Sequence, residues 1–349
     1  MVESALHAYL AARGAVHAED RGVVLPRHFG DAATEYRALR DAVVLVDLGH
    51  RTLVRATGAD RVAFLQGMLT NDVARLAPGS GCPALLLTVQ GRVTADVRVA
   101  ALEDAFLLDV DVRARADLLA ALEARLIADE VELGEPTTSV ALIGLEGPGA
   151  AAVLGDVAST LAPYAHAATV VGGVGVRVLL ASEVRGPGFV LHVPAGRAET
   201  VWDALAASGA RPCGMDAVEG RRIEVGAPRI GLDMDGDTLA LEVPVEDAVS
   251  HTKGCYLGQE VIARGTARGH VNRRLCGLLL DGPLPLRRAP LVHDGKEVGH
   301  ITSVGCAFGL RRPAALGMVR RECWEPGSEL AVGHGPVATL ARVATWPLA

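Results

Sequence analysis

Between Leu53 and Gly209 the sequence passes twice through one order of elements, and that order leaves few folds open. The first pass begins with the alternating run Leu53-Val54-Arg55-Ala56. Gly58 then opens a helix through Asp60, Phe64 and Leu65. Strands are expected at Ala84–Val89 and Val93–Val99; in the second, Val93, Ala95, Val97 and Val99 alternate with Thr94, Asp96 and Arg98. After a Glu103-Asp104 turn comes AFLLDVDV. The helix RARADLLAALEARLIADE follows, with Leu118, Leu119, Leu122 and Leu126 on one face. The second pass starts with the strand SVALIGLEG, then Gly147-Pro148 and a helix ending near Leu154. Strands near Val174–Ala181 and Gly188–Val193 precede the helix AGRAETVWDALAASG, whose apolar face is Val201, Trp202 and Leu205. Phe106 and Phe189 begin matching strands. Strand–helix–strand–strand–helix, run twice, predicts two related α+β lobes.

From about Asn272 helical periodicity disappears. Short alternating runs such as CGLLLDG, EVGHITSVG and ALGMVRR are punctuated by Gly, Pro and an Asp-Gly turn at 294–295. That pattern reads as a small antiparallel barrel or sandwich. The expected organisation is therefore a two-lobe region over 1–241, a junction over 242–271 and a β module over 272–349.

Composition agrees. A chain of 349 residues suggests two or three domains, and half of it is hydrophobic. Aromatics are scarce, so Leu, Val and Ala must fill the cores. A net charge of −7 argues against nucleic acid as partner. The start MVESALHAYL lacks a basic n-region and an apolar h-region, and apolar runs such as VVGGVGVRVLLA are broken by Gly and Arg177. The expectation is a cytoplasmic chain with no membrane span. The six cysteines are scattered, without a CxxC pair or zinc spacing, so no metal is expected and the thiols are expected reduced. GGVG at 172–175 lacks the strand–helix context of a dinucleotide loop.

Residues 253–260, KGCYLGQE, stand out. The chain has two lysines, Lys253 and Lys296, and one of them sits two residues from Cys255. A neighbouring cation lowers a thiol pKa, but Lys253 supplies charge only if the turn folds its side chain back. Gly254 and Gly258 permit an exposed, tightly turned backbone. On composition alone the simpler reading is a small buried hydrophobe. The run ARGTARGHVNRR places Arg264, Arg268, Arg273 and Arg274 after the motif, as a solvated face or an anion-binding patch.

Taken in order, several blocks resemble the folate-binding superfamily of the glycine-cleavage T-protein, the aminomethyltransferase. They are VDLGHRTLVRATGADRVAFLQGMLTNDV, with Asp47, His50, Gly58, Phe64, Leu65 and Thr70-Asn71-Asp72 in place; ALIGLEGPGA; and GRRIEVGAPRIGLD. KGCYLGQE is similar to the K-G-C-[YF]-x-G-Q-E signature of the YgfZ-type branch, folate-binding relatives that assist assembly or repair of iron–sulfur clusters. The chain also departs from the T-protein. The acid that grips the pterin falls on Val190, a nearby arginine falls on Val218, and an Asp-Asp pair becomes Ala95-Asp96. These departures count against glycine-cleavage aminomethyl transfer.

The resemblance implies an α+β fold: two related lobes of ferredoxin-like type plus a C-terminal small antiparallel β-barrel, around a central cavity. It implies tetrahydrofolate, or a derivative, as cofactor. Asp96 and Glu224 are the candidate carboxylates, since a carboxylate accepts in parallel from adjacent N–H donors. Asn71, Gln259, Glu260 and Arg264 are further candidates for the folate, and Cys255, Lys253 and Tyr256 for the chemistry. The leading expectation is an accessory factor for iron–sulfur client or assembly proteins, acting through Cys255. The alternatives are a folate-dependent one-carbon transferase and a non-catalytic binding module that uses the arginine run.

Overall fold

The structure, a computed structural model, describes residues 1–134, 139–268, 271–333 and 339–348, with the side chains of 267 and 268 also left out. Two compact units emerge. The first comprises Met1–Leu87, Thr94–Val218 and Asp247–Leu257; the second comprises Thr88–Val93, Glu219–Glu246 and Gly258–Ala349.

The first unit contains the two lobes, and their sheets are built alike. In one, strand Arg51–Thr57 pairs antiparallel with Phe106–Asp111, which pairs with Val93–Ala101, which adjoins Gly81–Leu87. In the other, Val140–Glu146 pairs with Gly188–Pro194, then Val174–Leu179, then His166–Val171. Phe106 begins its strand and Phe189 is the second residue of the corresponding one. The strand His166–Val171 lacks a clean apolar–polar alternation, and only His166 in it is buried. The lobes interleave: strand Val44–Asp47 precedes the first lobe in sequence yet pairs with Val140–Glu146 of the second.

Period-2 strands meet a period-3.6 helix to make the second lobe's core. Ile143, Leu145, Val176, Val178, Leu191 and Val193 point to one side, where Val201, Trp202 and Leu205 of helix Ala198–Ala207 close over them. The first lobe's helix is shorter than its leucine pattern suggests, Arg115–Glu123. Leu118 and Leu122 are fully buried. Beyond Glu123 the chain leaves the helix to reach Gly58 and Asp60, where Asp60 Oδ2 accepts from Glu130 N at 2.8 Å. It then adds strand Glu132–Gly134 to the sheet edge. Tertiary pairing overrides local periodicity there.

The second unit contains a closed six-stranded barrel, which decides between barrel and sandwich. Its strands are Arg273–Asp281, Arg312–Arg320, Lys296–Ala307, Pro290–His293, Glu329–Val332 and Thr339–Ala344, in order around the barrel. The hairpin turn has φ of 48° at Asp294 and 72° at Gly295, the left-handed pair that a two-residue turn requires. The block GRRIEVGAPRIGLD is part of this unit's framework. Arg222, 1% exposed, donates to Asp233 Oδ2 at 2.6 Å and to Ser303 Oγ at 2.8 Å on a barrel strand.

Candidate functional site

Residues 253–257 of the cysteine motif and the Thr70-Asn71-Asp72 turn, far apart in sequence, form one structural piece within the first unit. Helix Arg61–Met68 ends with carbonyls that have no partner in the helix. The Lys253 ammonium fills that gap, donating to the carbonyls of Gln66 (2.6 Å), Leu69 (2.7 Å) and Asn71 (2.7 Å). A cation there also suits the negative end of the helix. Thr70 Oγ1 donates to the Ala248 carbonyl at 2.6 Å, and the Leu257 amide donates to the Gly67 carbonyl at 3.0 Å. The whole 247–257 segment is thereby fastened down.

This geometry fixes where the Lys253 charge sits. The side chain does fold back, but into the end of a helix; it is 7% exposed, and burial pushes its pKa down to about 8 against the pull of Asp72. Tyr256 is buried as well, with its ring centre 5.3 Å from Lys253 Nζ, and burial raises its pKa. Between these two anchors Cys255 is exposed, unlike the buried Cys213, Cys276 and Cys323 and the half-buried Cys82 and Cys306. Burial drives the Cys82 thiol up to about 12. Cys255 is thus an exposed thiol, while the Lys253 ammonium beside it in sequence is engaged by three backbone carbonyls.

Asn71 belongs to the turn. Its Nδ2 donates to the carbonyls of Pro83 (2.7 Å) and Asp247 (3.0 Å), and its Oδ1 accepts from Asp72 N (2.9 Å), so its amide is committed to structure. In the second unit, Glu224 Oε1 accepts from Gly309 N at 3.0 Å and Oε2 from Arg221 at 3.3 Å, which makes it a frame residue of the barrel region. Gln259 and Glu260 begin helix Gln259–Arg268. Glu260 and Arg264 pair across one turn at 3.1 Å with 83% and 72% of their side chains exposed, a solvent pair of small energetic worth.

Asp96 has a different setting. Alternation in strand Val93–Ala101 buries Val93, Ala95, Val97 and Val99 on one face and places Asp96 and Arg98 on the other. On that second face Arg98 meets Asp109 Oδ2 at 3.2 Å and Glu183 Oε1 at 2.5 Å, while Arg51 meets Asp109 Oδ1 at 2.6 Å. Glu183 also accepts from His50 Nε2 at 3.2 Å. The attraction of Arg98 and the His50 hydrogen bond overcome burial and hold the Glu183 carboxyl well below its usual range. Asp96 lies within the field of both arginines, yet its buried Oδ1 has no hydrogen-bond partner among the described residues. Burial raises its pKa, aided by Asp111 and Glu183 and opposed by Arg51 and Arg98. Nearby, burial lifts Glu146 to about 7 although Ser182 Oγ and Glu183 N donate to it.

Sequence reasoning singled out Asp96 but missed Arg51, Arg98, Asp109 and Glu183. A signal was available: in AFLLDVDV, Asp109 and Asp111 are two apart in an otherwise apolar strand, so they share a face. At the positions where the T-protein resemblance expects an acid and an arginine, Val190 and Val218 are both fully buried. Among the described residues no cluster of His, Cys, Asp and Glu is arranged to hold a metal, and no helix is long and apolar enough to cross a membrane.

Comparison with known proteins places this geometry. The chain is 31% identical over 304 residues to a putative chloroplastic transferase of Arabidopsis thaliana, covering 85% of this chain and 70% of that one. It is 29% identical over 340 residues to an aminomethyltransferase of Thermus thermophilus, covering 96% of each. The fold matches a crystal structure of the glycine cleavage system aminomethyltransferase T from Bartonella henselae, with a TM-score of 0.90 and 23% identity, covering 99% of this chain and 98% of that one. The GCVT N-terminal domain family matches residues 6–253, and the glycine cleavage T-protein C-terminal barrel domain matches residues 273–348. With both halves accounted for, the chain belongs to the glycine-cleavage T-protein family.

Proposed function

We propose that this protein binds a reduced folate at the charged face of the first lobe and handles a one-carbon unit carried on it, with Asp96 as the acid–base group. The observation that carries this is the buried, unpartnered Oδ1 of Asp96. A buried carboxylate oxygen without a donor is costly, and a ligand N–H would satisfy it. Its raised pKa brings proton exchange nearer to neutral pH, where a general acid or base works best. Tetrahydrofolate would supply the secondary amines that carry the one-carbon unit. Arg51 and Arg98, locked on Asp109 and Glu183, hold the field around Asp96 fixed. The aminomethyltransferase relatives support the reading. Val190 and Val218 remove two polar contacts, so the ligand is held by fewer hydrogen bonds, and the donor is one other than that of glycine cleavage.

A second reading rests on Cys255, the exposed thiol on a fastened loop. In it the protein is a YgfZ-type accessory factor for iron–sulfur proteins, and the thiol meets the partner. Calorimetric titration with tetrahydrofolate tests the shared element: Asp96→Asn should weaken binding about tenfold, the loss of one charge-assisted hydrogen bond. An unchanged affinity defeats the role of Asp96. Folate-dependent turnover of an N-methyl or aminomethyl donor that survives Cys255→Ser favours the first reading. Rescue of an iron–sulfur-deficient strain that requires Cys255, with no turnover, favours the second.

A further inference from the structure

A cavity of about 360 Å³ opens at one end of the second lobe's sheet, lined by Ser139, Thr169, Arg177 and His192 among others. Ala168, Arg177, His192 and Leu142 are successive cross-strand partners, so their side chains share a face. Val176, Val178, Leu191 and Val193 alternate to the opposite face and pack in the core.

Two groups on this face lack what their chemistry demands. His192 is 7% exposed, and neither ring nitrogen has a hydrogen-bond partner among the described residues. Arg177, half-buried, makes one hydrogen bond among the described residues, to His166 Nδ1 at 2.8 Å. His166 Nε2 lies 2.9 Å from the Ala101 carbonyl and must donate to it, so Nδ1 is the bare, accepting nitrogen and the ring is neutral. Arg177 therefore faces no carboxylate among the described residues, and burial alone depresses its pKa. The charge that interrupts the apolar run VVGGVGVRVLLA is thus aimed at a cavity with its donors largely unused. Buried polar groups are rarely left so, and a cation removed from water calls for an anion.

We propose that this cavity is a binding site for a small oxyanion, a phosphate or carboxylate group held between the Arg177 guanidinium and a ring N–H of His192. Arginine's planar fork matches two oxygens of such a group, and His192 would supply a third donor. The site involves neither Asp96 nor Cys255 and is independent of the reading of those residues. The groups that act on His192 are Asp109, which favours its charged form, and Arg177, His166 and Arg98, which oppose it. Burial, with the three cationic or imidazole neighbours, outweighs Asp109 and lowers the ring to about 4, so it is neutral when nothing is bound. An anion between His192 and Arg177 would raise that value and strengthen the contact as pH falls.

The test is a titration of the full-length protein with inorganic phosphate, and separately with citrate, followed through histidine C2–H resonances. His192→Gln identifies the signal. The His192 pKa should rise by about one unit or more on saturation, and binding should tighten as pH falls. Arg177→Lys, which keeps the charge and loses the fork, should weaken binding roughly tenfold. A response to phosphate alone points to a phosphate source, and a response to citrate alone to a carboxylate source; either supports the site. No shift of the wild-type His192 signal at tens of millimolar of either anion, on the order expected for a weak site, overturns it whether or not the variants fold.

Discussion

The Lys253 side chain shows how residue identity and residue role part company. Beside a cysteine in sequence, it reads as a pKa device; in space it is a helix cap, because its three acceptors lie 182 to 187 positions away. Lys253→Met should therefore destabilise the protein by about 2–4 kcal/mol in urea denaturation, through the loss of charge-assisted hydrogen bonds. If stability is unchanged, the cap is not important. Glu146 gives a prediction in pH. Its folded pKa of about 7 exceeds the ordinary 4.5, so the native state binds more protons than the unfolded one in that window. Wild-type stability should then fall as pH rises from 4.5 to 7, by an amount on the order of 3 kcal/mol from this group. Glu146→Gln should flatten that slope and gain on wild type more at pH 8 than at pH 5. Equal differences at both pH values would contradict the assigned burial cost.

Among the elements, strands and helices with clean periodicity were legible. The second lobe's helix buries Val201, Trp202 and Leu205 as its pattern demands, and strand Val93–Ala101 alternates as read. Short strands or those without alternation carry no such signal: Val44–Asp47, His166–Val171 and Arg211–Cys213 owe their strand form to neighbours in the sheet. Gly58 illustrates the converse, an element boundary set by one residue. Its φ of 101° is the left-handed region, and a methyl group there would stand 1.9 Å from the Glu130 carbonyl oxygen. Gly58→Ala should cost more than about 2 kcal/mol in thermal or chemical denaturation. A neutral outcome would mean that the turn between strand and helix is free to rearrange.

Across the molecule, the decisive feature is the crossing of strand Val44–Asp47 into the second lobe's sheet. Leu45, fully buried, stands opposite Leu145. Leu45→Ala should destabilise the first unit by about 2–5 kcal/mol, the usual cost of such a cavity. In hydrogen exchange, protection should be lost first in Val140–Glu146, whereas Arg51–Thr57, nearer in sequence but in the other sheet, should keep it. Simultaneous loss in both strands would show that the lobes open as one.

Read alone, the sequence determined the repeated order of elements, the C-terminal change to short strands, the likeness to the T-protein family and the candidacy of Cys255 and Asp96. These follow from local periodicity, turn chemistry and short motifs, which act over a few residues. Only the tertiary structure decided that Lys253 caps a helix, that Asn71 and Glu224 bond to the framework, and that Arg51, Arg98, Asp111 and Glu183 act on Asp96. The same holds for Arg177 and His192 facing one cavity. Such roles depend on which partner a polar group meets once buried, and burial brings together residues that the sequence keeps far apart.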